Sequence, residues 1–258
     1  PAKEQPAAGE AQVVNLKGQH LFPGLIAPTT ALGLMEIPAV RATVDTSEVG
    51  TYTPEVKSWL AVNPDSELIP VARANGITHF LPVPQGGTVT GQSGLMATTG
   101  WGYENMLAHS PVALHLFWPS MNINPTADDA KKQAKERDKR LKKIDDFFEE
   151  ARAYAKSQSA PDHKGVPSWD AMLPWVRGEK PVIIHANSQV QIESAIDWST
   201  KRGWKPVIAG GRDAWRVAEL LAKHNVPVIF EHTFTLPTRD FDRYDIQFRA
   251  AGILHKAG

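Results

Sequence analysis

Six short apolar runs recur along the chain: Gly24–Ala27, Ile77–Val83, Val112–Trp118, Pro181–Ala186, Pro206–Ala209 and Val226–Phe230. They are apolar throughout rather than alternating, the pattern of strands buried on both faces of a parallel sheet. Amphipathic segments lie between them. Strand–helix–strand alternation with right-handed crossovers predicts an α/β fold. A chain of 258 residues is long enough for an α/β barrel, which takes ~250 residues and about eight strands. Six runs do not close one. The expectation is therefore a (β/α)8-type barrel that is incomplete in this chain and finished by a longer polypeptide or a partner, with an open six-stranded sheet as the alternative.

The helices between the runs have readable ends. Asn63-Pro64-Asp65-Ser66-Glu67 offers a cap, a Pro at the first helical position and acids in the first turn, so a helix should run to about Asn75 and stop at Gly76. Gln189–Arg202 and Asp213–His224 are two more, the second with Ala214, Val217, Leu220 and Leu221 on one face. Residues 126–159 form a long charged helical insertion, capped by Thr126 with Asp128 and Asp129 behind it. Eight bases crowd Lys131–Lys143, where Glu136 and Arg140 stand at favourable i,i+4 spacing. A solvated helix face is the ordinary explanation of that charge; a basic surface for an acidic partner is the alternative.

Lys+Arg and Asp+Glu balance at 28 each, so no global field favours nucleic acid or an anionic membrane, and no apolar run reaches membrane-spanning length. The absence of Cys removes disulfides, thiolate ligands and a cysteine nucleophile, and leaves both a cytoplasmic and a periplasmic or secreted location open. The chain starts at Pro1, which reads as a processed or trimmed N-terminus, and Pro1–Glu10 has a mobile-tail composition. Val13–Leu16 reads as a short strand turned at Lys17-Gly18.

Leu21-Phe22-Pro23-Gly24-Leu25-Ile26 at the first strand, Gly76-Ile77-Thr78-His79-Phe80 at the second, Pro181–Ala186 with its terminal His185, and Val226–Ile229 later in the chain together resemble the metal-dependent amidohydrolase superfamily. The likeness is nearest to its imidazolonepropionase-like and Xaa-Pro dipeptidase-like branch. Asn63–Glu67 and Pro84–Gly87 are similar to a bacterial subgroup in which the opening histidines are often missing. The resemblance implies that residues 1–23 are a tail and a β-sandwich remnant, and that residues 24–258 are a partial amidohydrolase barrel. It implies hydrolysis of C–N bonds in cyclic amides or small peptides, with Zn or another divalent metal polarising the carbonyl and activating water. The implied ligand set is largely absent. Ala27, Thr29 and Ala31 stand where the first strand carries Asp-x-His-x-His, and Ala209 and Gly210 where the sixth carries His. Of that set His185 remains as a metal ligand, against the three or four that Zn²⁺ takes. A catalytically inactive homologue acting as a binding or scaffold subunit is the alternative, with a homo- or hetero-oligomeric partner expected either way.

His185 ends a strand, on the face where barrel active sites assemble, and is the first candidate for metal ligation or catalysis; a structural hydrogen bond to nearby backbone is the alternative. His232 follows the last run and is the second catalytic candidate. Alternation turns Glu231 to the other face, which argues against a Glu231–His232 dyad. His115 and His79 lie inside runs and read as packed core histidines. Gln85–Gly94 holds four Gly in ten residues, a loop that can bring backbone close to a small-molecule substrate or simply turn tightly over the mouth. Gln85, Gly86, Gly87, Gln92 and Ser93 are its substrate-binding candidates, with Asn187 facing the same mouth. Asp213 reads as an ordinary helix cap. Trp101, Trp118, Trp169 and Trp175 read as loop or strand-end residues, suited to packing against a partner or to walling a cyclic substrate.

Overall fold

The computed structural model describes residues 14–124, 126, 129–160 and 163–258. All six apolar runs are strands, and a seventh joins them. One sheet follows chain order: β1 (Leu25–Thr30), β2 (Ile77–Pro82), β3 (Val89–Ala97), β4 (Leu107–Phe117), β5 (Val182–Ala186), β6 (Pro206–Gly210) and β7 (Val228–Phe230). The pairs β1–β2, β4–β5, β5–β6 and β6–β7 are parallel. β3 runs antiparallel to both of its neighbours, so the sheet is mixed rather than wholly parallel. The seventh strand is the half of the glycine-rich run expected to be a loop. Gln92 and Ser93 lie in it, buried.

The glycines let this run meet a strap of neighbouring chain. β2 and β3 pair only at His79–Ala97 and Phe80–Met96, then fork. Residues 45–62, on the way from β1 to α1 (Leu68–Ala74), fill the fork. Gln85 N donates to Thr46 O at 2.6 Å, Thr88 N to Thr51 O at 2.7 Å, Thr53 N to Val89 O at 2.8 Å and Gln92 N to Val56 O at 2.7 Å. Such contacts demand bare backbone. A Cβ at Gly91, whose φ is +121°, would lie 2.6 Å from Val56 O, and one at Gly87 2.8 Å from Thr51 O. Gly86 and Gly87, expected against substrate, face Ser47 and Thr51 instead. Gln92 turns from the interior, its Nε2 donating to Pro54 O at 2.9 Å.

Helices cover the outer face. α2 (Gly102–Met106) links β3 to β4; α3 (Ala130–Ser157), α4 (Pro167–Val176), α5 (Gln189–Thr200), α6 (Ala218–Lys223) and α7 (Ile246–Ala257) follow. Period-two alternation sends Leu114, Leu116, Val182, Ile184 and Ile208 outward against Ile144, Phe148, Met172, Trp175, Ile192 and Ile196. Trp118 and Trp175 belong to this core rather than to an aromatic wall or a partner surface, whereas Trp101 is exposed. Trp118, Trp198 and Trp204 touch in sequence, with ring centroids 5.2 and 5.3 Å apart. The inner face carries smaller side chains, Ala113, Ile183 and Ala209.

Two boundaries and one ion pair differ from expectation. α1 begins at Leu68, because Asn63 Oδ1 accepts from Asp65 N in a turn and Ser66 Oγ accepts from Leu68 N. The segment after Asp213 opens as a 3₁₀ turn before α6, and Asp213 makes no side-chain cap. On α3, Lys142–Asp146 and Arg137–Asp138 pair where Glu136–Arg140 was expected; exposed pairs differ little in energy. Residues 14–24 hold a turn at Lys17-Gly18, with Gln19 N donating to Leu16 O, and no paired strand. Residues 1–13 and Asp128 lie outside the described residues. No described helix is long and apolar enough to cross a membrane.

Candidate functional site

The C-terminal ends of β1, β2, β4, β5 and β7 surround one cavity of about 400 Å³, lined by Thr29, Thr30, Ala31, Val83, Gln85, Phe117, His185 and Glu231. Residues from β1 and from the turn after β7 share it, so the sheet curls until its two edge strands face each other across the mouth. The position matches the strand-end face of an α/β barrel.

His185 reaches the mouth because β5 points it inward between Ile184 and Ala186, which pack outward. Its imidazole stacks on Phe117, the cross-strand partner, at 4.1 Å between centroids and 4° between planes. Its Nε2 lies 3.0 Å from His115 Nδ1. One ring donates and the other accepts, so the pair shares a single proton in its contact. Burial pushes His185 down to about 4 and is its only resolved cause. His115, fully buried, is held well below the ordinary imidazole value by burial first and by His185 second. Both rings are therefore uncharged at neutral pH. His115 Nε2 and Ser93 Oγ are buried without partners. They point inward from neighbouring strands, since Ser93 pairs with Ala113, two residues from His115.

Asn187 and His232 form a second pair. Gly210, with φ +87°, makes room for Asn187: a Cβ there would lie 2.5 Å from Asn187 Oδ1. That oxygen accepts from His232 Nε2 at 2.6 Å and from Arg212 N at 3.5 Å. His232 thus carries its proton on Nε2, while Nδ1 is buried without a partner. Burial and then the Arg212 charge lower its pKa. Glu231 lines the mouth while the His232 ring bonds to Asn187, so the two form no dyad, although both lie beyond the end of β7. Asp213 is buried; it accepts from Gln189 N at the start of α5 and pairs with Arg239 at 3.1 Å. Arg239 also meets Asp242, which pairs with Arg216. These ion pairs fasten the segment after β7 to the turn after β6.

Of the sequence candidates, the structure brings Gln85 and His185 to the cavity and sets Asn187 and His232 beside them. Gly86, Gly87 and Gln92 are turned to the strap, and Ser93 is sealed inside the sheet. Phe117, Glu231 and Thr30 were not singled out for the mouth, Thr29 was named there only as standing at a vacant ligand position, and His115 was read as plain core. The signal for His115 and Phe117 was their i,i+2 spacing on a strand beside that of His185.

Among the described residues no group of three or more His, Asp and Glu is placed to hold a metal ion. In the mouth only His185 and Glu231 are donors of the kind Zn²⁺ takes, and His185 commits one nitrogen to His115. That donor set does not fit a zinc site, which requires about four ligands.

No protein-family model and no curated protein matches the sequence. One solved structure, an amidohydrolase from Thermotoga maritima MSB8, aligns over 100% of this chain and 69% of its own, with a TM-score of 0.75 and 21% sequence identity. That likeness establishes the architecture: an α/β fold whose curled, barrel-like sheet follows that of an amidohydrolase.

Proposed function

We propose that this chain is an amidohydrolase-fold homologue that binds a small polar molecule at the strand-end mouth, without the metal-assisted hydrolysis that the resemblance implies. The observation that carries this reading is the donor set: uncharged His185, half committed to His115, beside Thr29 and Ala31. A metal would find too few ligands there, while a polar ligand would find hydroxyl, amide, imidazole and carboxylate groups around one apolar ring. Such a composition, few polar groups converging on a concave site, is that of small-molecule pockets. Titration with Zn²⁺ against a chromophoric chelator tests the reading. The expected result is no stoichiometric uptake and no rise in Tm; one equivalent bound more tightly than about 1 μM, lost in His185→Ala, would overturn it.

A second reading is a hydrolase of C–N bonds in cyclic amides or small peptides. The free Nδ1 side of His185 and the Glu231 carboxylate favour it, since an uncharged imidazole and a carboxylate at one cavity are the components of general acid–base catalysis. Turnover of a cyclic amide or dipeptide that disappears in both His185→Ala and Glu231→Gln is its signature.

A further inference from the structure

Among the described residues, Glu231 is the one formally charged group lining the mouth. Its side chain is exposed and enters none of the ion pairs formed by the described residues. Two of the cations near it in the chain are held in ion pairs: Arg239 by Asp213 and Asp242, and Arg216 by Asp242. Arg212, whose Nε is buried without a partner, forms no ion pair among the described residues and does not line the cavity. The rest of the lining offers groups that can accept as well as donate hydrogen bonds: two threonine hydroxyls, the Gln85 amide and the His185 ring. Phe117 adds an aromatic surface, to which cations are attracted.

We infer that the ligand of this mouth is a small organic cation, planar and rich in N–H donors, of the amidinium or guanidinium class. The inference rests on the binding reading above and names its ligand chemistry. An anion would meet Glu231 in a cavity with no Lys or Arg among its described lining residues. A neutral amide can donate to the carboxylate but does not neutralise its charge. A planar cation can donate two parallel N–H bonds to a carboxylate, the geometry that makes such pairs strong.

Three near-isosteric probes separate charge from shape: benzamidine, benzamide and benzoate, each followed by ligand-observed NMR on the native chain and on Glu231→Gln. Benzamidine should bind about fivefold more tightly than benzamide, with benzoate weakest, and Glu231→Gln should erase that ratio. Equal binding of benzamidine and benzamide, or a ratio that survives Glu231→Gln, overturns the cation inference and leaves the mouth as a neutral-ligand site. Failure of all three probes to bind overturns both the cation inference and the mouth as a small-molecule site.

Discussion

The two flanks of the sheet are finished differently. Where β2 and β3 fork, a strap of residues 45–62 closes the gap with main-chain hydrogen bonds, and glycines let backbone meet backbone. Trp59 seals the fork from below and is buried to 5% exposure, with Gly94 under its ring. At the other flank β1 and β7 each have one sheet neighbour. Leu25 and Ile26 of β1 are 62% and 55% exposed, and Phe234 and Leu236 beyond β7 are exposed as well. One flank spends sequence on fit; the other presents apolar side chains without a fitted surface. Stability should accordingly depend steeply on the first and weakly on the second.

Gly91→Ala is the sharpest test of that contrast. It forces a side chain into a positive-φ position and onto Val56 O, and should cost roughly 3–4 kcal/mol by chemical denaturation. A loss under about 1 kcal/mol would mean that the strap is loosely held. Acid tests the interior between the flanks. The folded His185 value, about 4, lies below the unfolded imidazole value near 6.5, so the unfolded chain binds the extra proton between them. Stability should be full above about pH 6.5 and fall as pH drops towards 4, by about 2–3 kcal/mol for this ring. His115→Gln should alter that slope, and an unchanged slope would remove the pair as its origin. The smallest effect is expected at the open flank. Ile26→Ser should change stability by under about 0.5 kcal/mol while lowering the binding of a hydrophobic dye. A large loss in the isolated chain would show that this edge is packed in solution.

The strands were legible because continuous apolar runs between turn signals leave few alternatives, and their borders came within a few residues. β3 was hidden by the same glycines that allow it. In sequence, Gly-Gly-Thr-Val-Thr-Gly reads as a loop, because the strap that requires bare backbone lies some forty residues earlier in the chain. The site was half legible. His185 could be placed from its position at a strand end, whereas the alternation argument for Glu231 and His232 does not apply, because β7 ends at Phe230. The bond between His115 and His185 could not be read, because it depends on the register of two strands seventy residues apart. Asp213 misled for a related reason: a buried acid at a helix start looks like a cap until its Arg239 partner, far along the chain, is known.

The three touching indoles, Trp118, Trp198 and Trp204, sit on the outer side of the sheet, with Phe148 of α3 against two of them and Trp198 Nε1 donating to Asp145 at 2.6 Å. Rings this close couple optically. The near-ultraviolet dichroism of this molecule should therefore be dominated by the joint between α3, α5 and the sheet. A spectroscopist following that signal would watch mainly the helical layer come apart, would see the strap only through Trp59, and would need a separate probe for the mouth.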